Sequence, residues 1–309
     1  MGDVHNASYY GKCMIGGILS CGLTHTAVVP LDIIKCRRQV DYNIYKSLGD
    51  GFKVIRAAEG MKGLTVGWVP TFIGYSAQGL GKFGFYEMFK DVYKKIVGEE
   101  NAIKYQTAGF LIASACAEFI ADTLLCPWES LKVRTQVDFT GTFPRNPVTG
   151  FNLILKNEGA NGFYKGLSPL WLRQIPYTMV KFAMFEKTVR YVYANFLTKD
   201  KSEYSKATKL TVTFLSGYWA GIFCAVVSHP ADTVVSKLNQ ASSEGSTVTK
   251  IKSILGELGF KGIWRGLSTR ILMIGTLTGL QWWIYDSFKT AIGLQATGTD
   301  DKKVATSGK

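Results

Sequence analysis

The sequence is poor in acid, histidine and proline. Its 309 residues hold 23 Asp and Glu against 36 Lys and Arg, with three His and eight Pro. There is no HExxH pair to bind zinc and no G-x-S-x-G to seat a serine nucleophile. The six cysteines, Cys13, Cys21, Cys36, Cys116, Cys126 and Cys224, show no paired metal-ligand spacing. Most lie in apolar runs, where Cys behaves as a small hydrophobe, and no disulfide framework is expected in a chain of this length. No basic run interleaved with aromatics stands apart from the apolar segments, so no nucleic-acid partner is expected. Before Tyr9 there is neither signal-peptide nor Arg-rich transit-peptide character, so targeting information is expected to be internal. Catalysis, a cofactor and a resident metal are therefore not expected.

What is present is apolar and basic. Hydrophobic residues make up 47%, Gly numbers 33 and the formal charge is +13. Polar residues gather between apolar stretches, as in a membrane protein with basic loops. Polar faces on otherwise apolar helices point to a water-filled cavity. The Lys and Arg excess sets orientation and meets anionic lipid head groups, or forms a field that attracts an anionic solute.

One unit occurs three times. Pro30, Pro127 and Pro230 each end an apolar run, and lie 97 and 103 residues apart. A second marker keeps step: Glu59-Gly60 with Gly63 and Gly67, Glu158-Gly159 with Gly162 and Gly166, then Gly259, Gly262 and Gly266. Each unit holds an apolar segment ending at the Pro, an amphipathic basic connector, the glycine marker and a second apolar segment. The units run 9–98, 104–198 and 207–294, followed by a polar tail, 295–309. Every segment exceeds the ~20 residues that span a bilayer. The expected fold is an all-α membrane protein with six transmembrane helices in three repeats and short helices along the membrane surface. Small residues such as Gly17 and Cys21, Ser114, Gly217 and Gly221 predict close helix packing.

The Pro motifs carry charge in register. Unit one has Asp32, Lys35, Arg37 and Gln39; unit two has Glu129, Lys132, Arg134 and Gln136. Unit three keeps Asp232 and Lys237, but Val235 replaces the first base. Threefold placement brings these charges together, where pairing offsets the cost of burying them. A second set marks the far ends of the second segments: Tyr86-Glu87 with Lys90, Phe185-Glu186 with Val189, and Tyr285-Asp286 with Lys289. Two such charged mouths, closing alternately, are what alternating access requires.

The tripled Pro-x-Asp/Glu-x-x-Lys/Arg motif and the Glu-Gly…Gly…Gly marker resemble the mitochondrial carrier family over Tyr9 to Gly293. Stretches such as Thr24-His25-Thr26, Gly74-Tyr75-Ser76-Ala77-Gln78-Gly79 and Arg173-Gln174-Ile175-Pro176-Tyr177 are similar to its phosphate-carrying branch. The resemblance implies six tilted helices around a central cavity in the mitochondrial inner membrane, matrix-side surface helices and termini in the intermembrane space. It implies movement of phosphate with a proton, or in exchange for hydroxide, with a monomer as the expected working unit. It pairs Asp32 with Lys132 and Asp232 with Lys35 in a matrix gate that includes Gln39 and Gln136. It pairs Lys90 with Glu186 and Lys289 with Glu87 in a cytoplasmic gate. Val235 would leave Glu129 without a base, and Val189 would do the same for Asp286.

Counting back from the far-end acids places Arg173, with Gln174 beside it, at the level where carriers contact substrate. A guanidinium fork fits phosphate oxygens. Lys82 and Lys181 follow eight residues later on their helices, with Gln281 as the third equivalent. Gln78 and Thr71 are uncharged candidates. For the proton, His25 precedes Pro30 by five residues and Asp122 precedes Pro127 by five, with Glu118 one turn away. His25, Glu118 and Glu129 are the expected relay. The alternative is another substrate, a small anion or copper(I). Cys21 and Cys36 are the soft-ligand candidates for copper, about 22 Å apart along a helix. They cannot share one ion and leave only sequential hand-over.

Overall fold

Each proline-ended run becomes a long helix, or a bent pair of helices. The computed structural model describes residues 5–40, 44–45, 47–138, 141–197, 203–240, 247–264 and 267–297. Unit one contains α1 (Ala7–Ala27), α2 (Val29–Val40), α3 (Leu48–Gly63) and α4 (Trp68–Val97), then a short α5 (Glu99–Lys104). Unit two contains α6 (Gln106–Val137), α7 (Pro147–Glu158), α8 (Asn161–Tyr164) and α9 (Leu167–Asn195). Unit three contains α10 (Lys206–Gln240), α11 (Thr247–Ile263) and α12 (Leu267–Ala291).

The first proline breaks its run, with α1 and α2 meeting at 56°. Pro30 falls in the first turn of α2, where its missing N–H is not needed. Pro127 and Pro230 lie inside continuous helices. The first glycine of the marker has one job in all three units. Gly60, Gly159 and Gly259 take φ of 68°, 67° and 56°, a left-handed turn that spares only glycine a steric penalty. Asn6, Ser47 and Asn146 cap α1, α3 and α7 by accepting backbone N–H bonds.

The six long helices close a ring in the order α1, α4, α6, α9, α10, α12 and back to α1. Small residues set how closely they approach. A Cβ on Gly79 would lie 2.1 Å from the Gly17 carbonyl oxygen, and one on Gly221 would lie 2.7 Å from the Gly275 Cα. The outside of the ring is apolar: Leu19, Leu23, Ile112, Leu215, Trp219 and Leu280 are exposed. The inside is polar: Lys82, Glu118, Asp122, Lys181, Gln281 and Asp286 are buried. That inversion of the soluble pattern suits a hydrocarbon solvent.

By length and composition, among the described residues, α6 and Lys206–Pro230 of α10 suit a membrane span, as does α1 joined to Val29–Arg37. The second helices of each unit fail that test although α4 has 30 residues, α9 has 29 and α12 has 25. Their polar residues line the ring's interior, and hydropathy counts them as though they met lipid. The packing predicts that Gly79→Ala costs about 1–3 kcal/mol through overpacking. Its melting temperature in detergent should fall measurably. An unchanged melting temperature would show that α1 and α4 are not in contact at Gly17.

Candidate functional site

At the Pro-motif end, Lys132 on α6 bonds Asp32 on α2 at 3.0 Å, crossing from unit two to unit one. Lys132 also lies 3.6 Å from Glu129, one turn back on its own helix. Glu129 was expected to lack a basic partner because of Val235, but its own helix supplies one. The Lys132 ammonium sits 5.0 Å from the Tyr75 ring centre. Gln136 is buried, with its side-chain amide donating to the Val66 carbonyl at 3.4 Å. Lys35 is exposed. The side chains of Gln39 and Asp232 lie outside the described residues, and the pairing expected between Asp232 and Lys35 lies there with them.

A second layer at this end was not anticipated. In units one and two, the second base of the Pro motif reaches the glutamate of the glycine marker in its own unit. Arg37 pairs with Glu59, and Arg134 with Glu158. Arg145 adds to Glu59, linking unit two to unit one, and Lys165 adds to Glu158. Burial works against the Glu59 charge, yet Arg37 and Arg145 hold its carboxyl below the ordinary range. The Arg134 guanidinium, then the Lys165 ammonium, pull Glu158 down to about 2. The signal was in the repeat register: units one and two keep both partners, whereas Leu258 replaces the glutamate in unit three.

At the opposite end, Lys90 bonds Glu186 of unit two at 3.3 Å and Glu87 of its own helix at 3.1 Å. Glu87, expected to meet Lys289, is held by Lys90 and by the Tyr9 hydroxyl at 3.1 Å. Asp286 was expected to lack a partner because of Val189. Instead it accepts from the Thr213 hydroxyl at 2.8 Å, the Thr297 N–H at 3.0 Å and the Thr297 hydroxyl at 2.7 Å. The start of the predicted polar tail therefore folds back at Gly293 and buries Thr297 against this acid. Lys289 donates to the same Thr297 hydroxyl at 3.4 Å.

Two polar clusters fill the space between the ends. In one, Lys82 lies 2.9 Å from Glu118, and the Gln78 amide nitrogen bridges Glu118 and Asp122 at 3.1 Å each. In the other, Lys181 donates to Gln281 Oε1 at 3.3 Å, and Gln281 Nε2 lies 3.0 Å from His25 Nε2. The His25 ring stacks on Tyr75 at 3.7 Å, next to Lys132. The expected line from His25 through Glu118 to Glu129 is not continuous: among the described residues no hydrogen bond joins these three. Arg173 is exposed and Gln174 half-buried on α9. Thr71 is buried, and its hydroxyl turns back to the Gly67 carbonyl at 2.7 Å. Cys21 is buried and Cys36 partly so, and the described residues hold no group of three metal-ligating side chains.

An aromatic layer separates the clusters from the far end. Phe185 stacks on Trp282 at 3.6 Å, Phe83 on Tyr285 at 4.3 Å, and Tyr86 meets Phe182 edge-on at 4.4 Å. These six are the residues four and one before each far-end acid. The repeat register carries this period in the sequence, with an aromatic residue directly before each acid and another one turn earlier.

Comparison with known proteins bears on this tripled architecture. The family profile described as mitochondrial carrier protein matches residues 6–97, 104–196 and 206–295. The chain belongs to the mitochondrial carrier family. It has the six-span carrier fold and is a multi-pass protein of the mitochondrial inner membrane. A Caenorhabditis elegans protein named phosphate carrier protein, mitochondrial, is 57% identical over 94% of this chain and 83% of its own length. Solute carrier family 25 member 3 of Bos taurus is 54% identical over 93% of this chain and 77% of its own. Mitochondrial phosphate carrier protein 3 of Arabidopsis thaliana is 51% identical over 96% and 77%.

The Glu158 pairing has a pH consequence. A carboxyl lowered from 4.5 to about 2 stabilises the fold fully above 4.5, and that contribution is lost as pH falls toward 2. In Arg134→Gln the Glu158 carboxyl should titrate at higher pH, toward 4.5, as read by carbon-13 shifts of labelled glutamate. A carboxyl unmoved by the substitution would show that Arg134 does not hold it.

Proposed function

We propose that this carrier moves inorganic phosphate with a proton, or in exchange for hydroxide, into the mitochondrial matrix by alternating access. One observation carries the reading: two buried lysines, Lys82 and Lys181, share the centre of the ring with carboxylates and a histidine. A small oxyanion fits the cations. The acids and the imidazole fit a proton. The names of the relatives support phosphate as the anion.

Arg173, Gln174, Lys82, Lys181, Gln78 and Thr71 form the proposed anion path. Guanidinium and ammonium groups bind phosphate through charge-assisted hydrogen bonds. Lys82 and Lys181 are engaged by Glu118 and Gln281, so phosphate has to compete for them. Glu118 and Asp122, bridged by one Gln78 amide, are placed to share a proton. His25 is the second proton site, on the Tyr75 side of the cavity. Glu129 keeps its proposed place in the path, with Lys132 beside it.

The Asp32–Lys132 pair is the core of the proposed matrix gate, and Lys90–Glu186 of the proposed cytoplasmic gate. The aromatic layer backs the latter. The carrier works as a monomer, with anionic inner-membrane lipids around its basic surface.

Purified protein in liposomes tests the substrate. Labelled phosphate should enter faster when the interior is alkaline; dicarboxylates and copper(I) should not compete. Uptake of phosphate that ignored a pH gradient would refute proton coupling. Glu118→Gln should abolish the response to the gradient, and a full response in that variant would remove Glu118 from the proton path. The charge swap Asp32→Lys with Lys132→Asp should regain part of the uptake that Lys132→Asp loses alone. Failure of any rescue would count against this pair as a gate.

A further inference from the structure

The Lys181–Gln281–His25 chain has a direction, set by which groups can donate. An ammonium only donates, so the oxygen of the Gln281 amide faces Lys181, at 3.3 Å. The amide nitrogen, also a donor, then faces His25 Nε2 at 3.0 Å. That ring nitrogen must accept, so His25 is neutral with its proton on Nδ1. Gln281 is held in place: it is 3% exposed, and its backbone carbonyl accepts from the Ser20 hydroxyl at 2.6 Å.

We propose that Gln281 couples protonation of His25 to release of Lys181 for anion binding, a linkage that rests on the phosphate–proton reading above. When a proton binds the Nε2 lone pair, the imidazolium presents a donor there. Two donors then face each other across 3.0 Å, and the amide turns over to put its oxygen toward His25. Its NH2 group now faces Lys181, again donor against donor. Lys181 leaves, and its ammonium turns to the cavity as a phosphate ligand. No covalent bond other than N–H forms or breaks. When phosphate and proton depart, the amide turns back and Lys181 is engaged again.

The charges around His25 fit this exchange. The groups acting on it are Lys132 on α6, Lys82 on α4 and Lys181 on α9, with the Tyr75 ring of α4 stacked against it. All three charges are cationic, so an incoming anion offsets a positive charge at the imidazole. An unprotonated carrier holds Lys181 away from the anion, which suppresses passage of phosphate without a proton. Gln281 is thus a positioning residue, acting through its two neighbours.

Nitrogen-15 NMR of labelled histidine in the reconstituted protein reads the first half directly. There are three histidines, and His25→Asn identifies the resonance. Without phosphate, His25 should be neutral with the proton on Nδ1, and Gln281→Leu should move the proton toward Nε2. An Nε2–H ring in the unaltered protein would overturn the proposal. The second half is read from the phosphate KM of Gln281→Leu divided by that of the unaltered protein, which cancels the ionisation of phosphate itself. That ratio should fall about tenfold between about pH 6 and about pH 8, because the variant no longer engages Lys181 when His25 is neutral. Gln281→Glu keeps the size and accepts from both neighbours, so it should raise KM at every pH and flatten the dependence. Ratios that stay constant with pH in both variants would overturn the linkage. A protein that exchanged no phosphate would sink the substrate reading alone, since the tautomer measurement uses no phosphate.

Discussion

Among the described residues, α4, α6, α9 and α12 bury charge where lipid and packed side chains exclude water, and that cost organises the rest. A buried ion left alone is expensive, and removing one partner of a buried pair typically costs about 3–5 kcal/mol. The ring meets the cost by pairing across units. Lys132 reaches Asp32, Lys90 reaches Glu186, and Lys82 reaches Glu118 between neighbouring helices α4 and α6. The Lys82–Glu118 contact needs α4 and α6 at close range, which Gly81 provides: a Cβ there would lie 2.9 Å from the Ala121 Cα. Packing and charge are therefore one constraint. An apolar exterior can vary with little consequence, whereas a shifted helix would strand an ion.

Threefold repetition would meet this constraint in three identical ways, but the chain does not repeat perfectly. Val189 removes a base, and the acid it would have served, Asp286, recruits Thr213 and Thr297 instead. Neutral donors can satisfy a carboxylate at the end of the ring, where a backbone N–H from the folded-back segment is also available. Leu258 removes the marker glutamate of unit three, while the first two units keep theirs tied to Arg37 and Arg134. Unit three thus lacks the glutamate of that tether, and its glycine turn at Gly259 is the same. The backbone of the repeat survives the loss of its side-chain chemistry.

The fold was legible because prolines and glycines repeat at fixed spacing and backbone conformation follows them directly. Gly60, Gly159 and Gly259 adopt one left-handed turn, as a shared marker should. Pairings between units were legible only where the register alone dictates them, as with Asp32 and Lys132. Where a base was missing, the sequence named the gap but not its filler. Thr297 lies in a tail with no periodicity, and Glu129 finds Lys132 by helical geometry that motif alignment between units overlooks. The Lys181–Gln281–His25 chain joins three helices from three units, so no local pattern encodes it. Hydropathy misjudged α4, α9 and α12 for a related reason: it scores a residue without asking which side of the helix it occupies.

The two ends share a feature that bears on how such a ring opens. Lys90 is held both by Glu186 of the next unit and by Glu87 one turn back on its own helix. Lys132 is held both by Asp32 of the previous unit and by Glu129 one turn back on its own helix. If the proposed gates open by separation of the units, each lysine loses its distant carboxylate and keeps the near one. The ammonium is never left uncompensated, so most of the penalty for breaking a buried pair is avoided on the cationic side. The distant acids, Asp32 and Glu186, are the groups that water must reach. Glu186 also accepts from the Tyr86 hydroxyl at 3.4 Å, and Asp32 is already partly exposed. In the proposed gates, a lysine shared with its own helix therefore lowers the barrier in both directions without weakening the closed contact. In the proposed cycle, the missing bases at Val235 and Val189 add to this, because fewer cross-unit pairs remain to be exchanged.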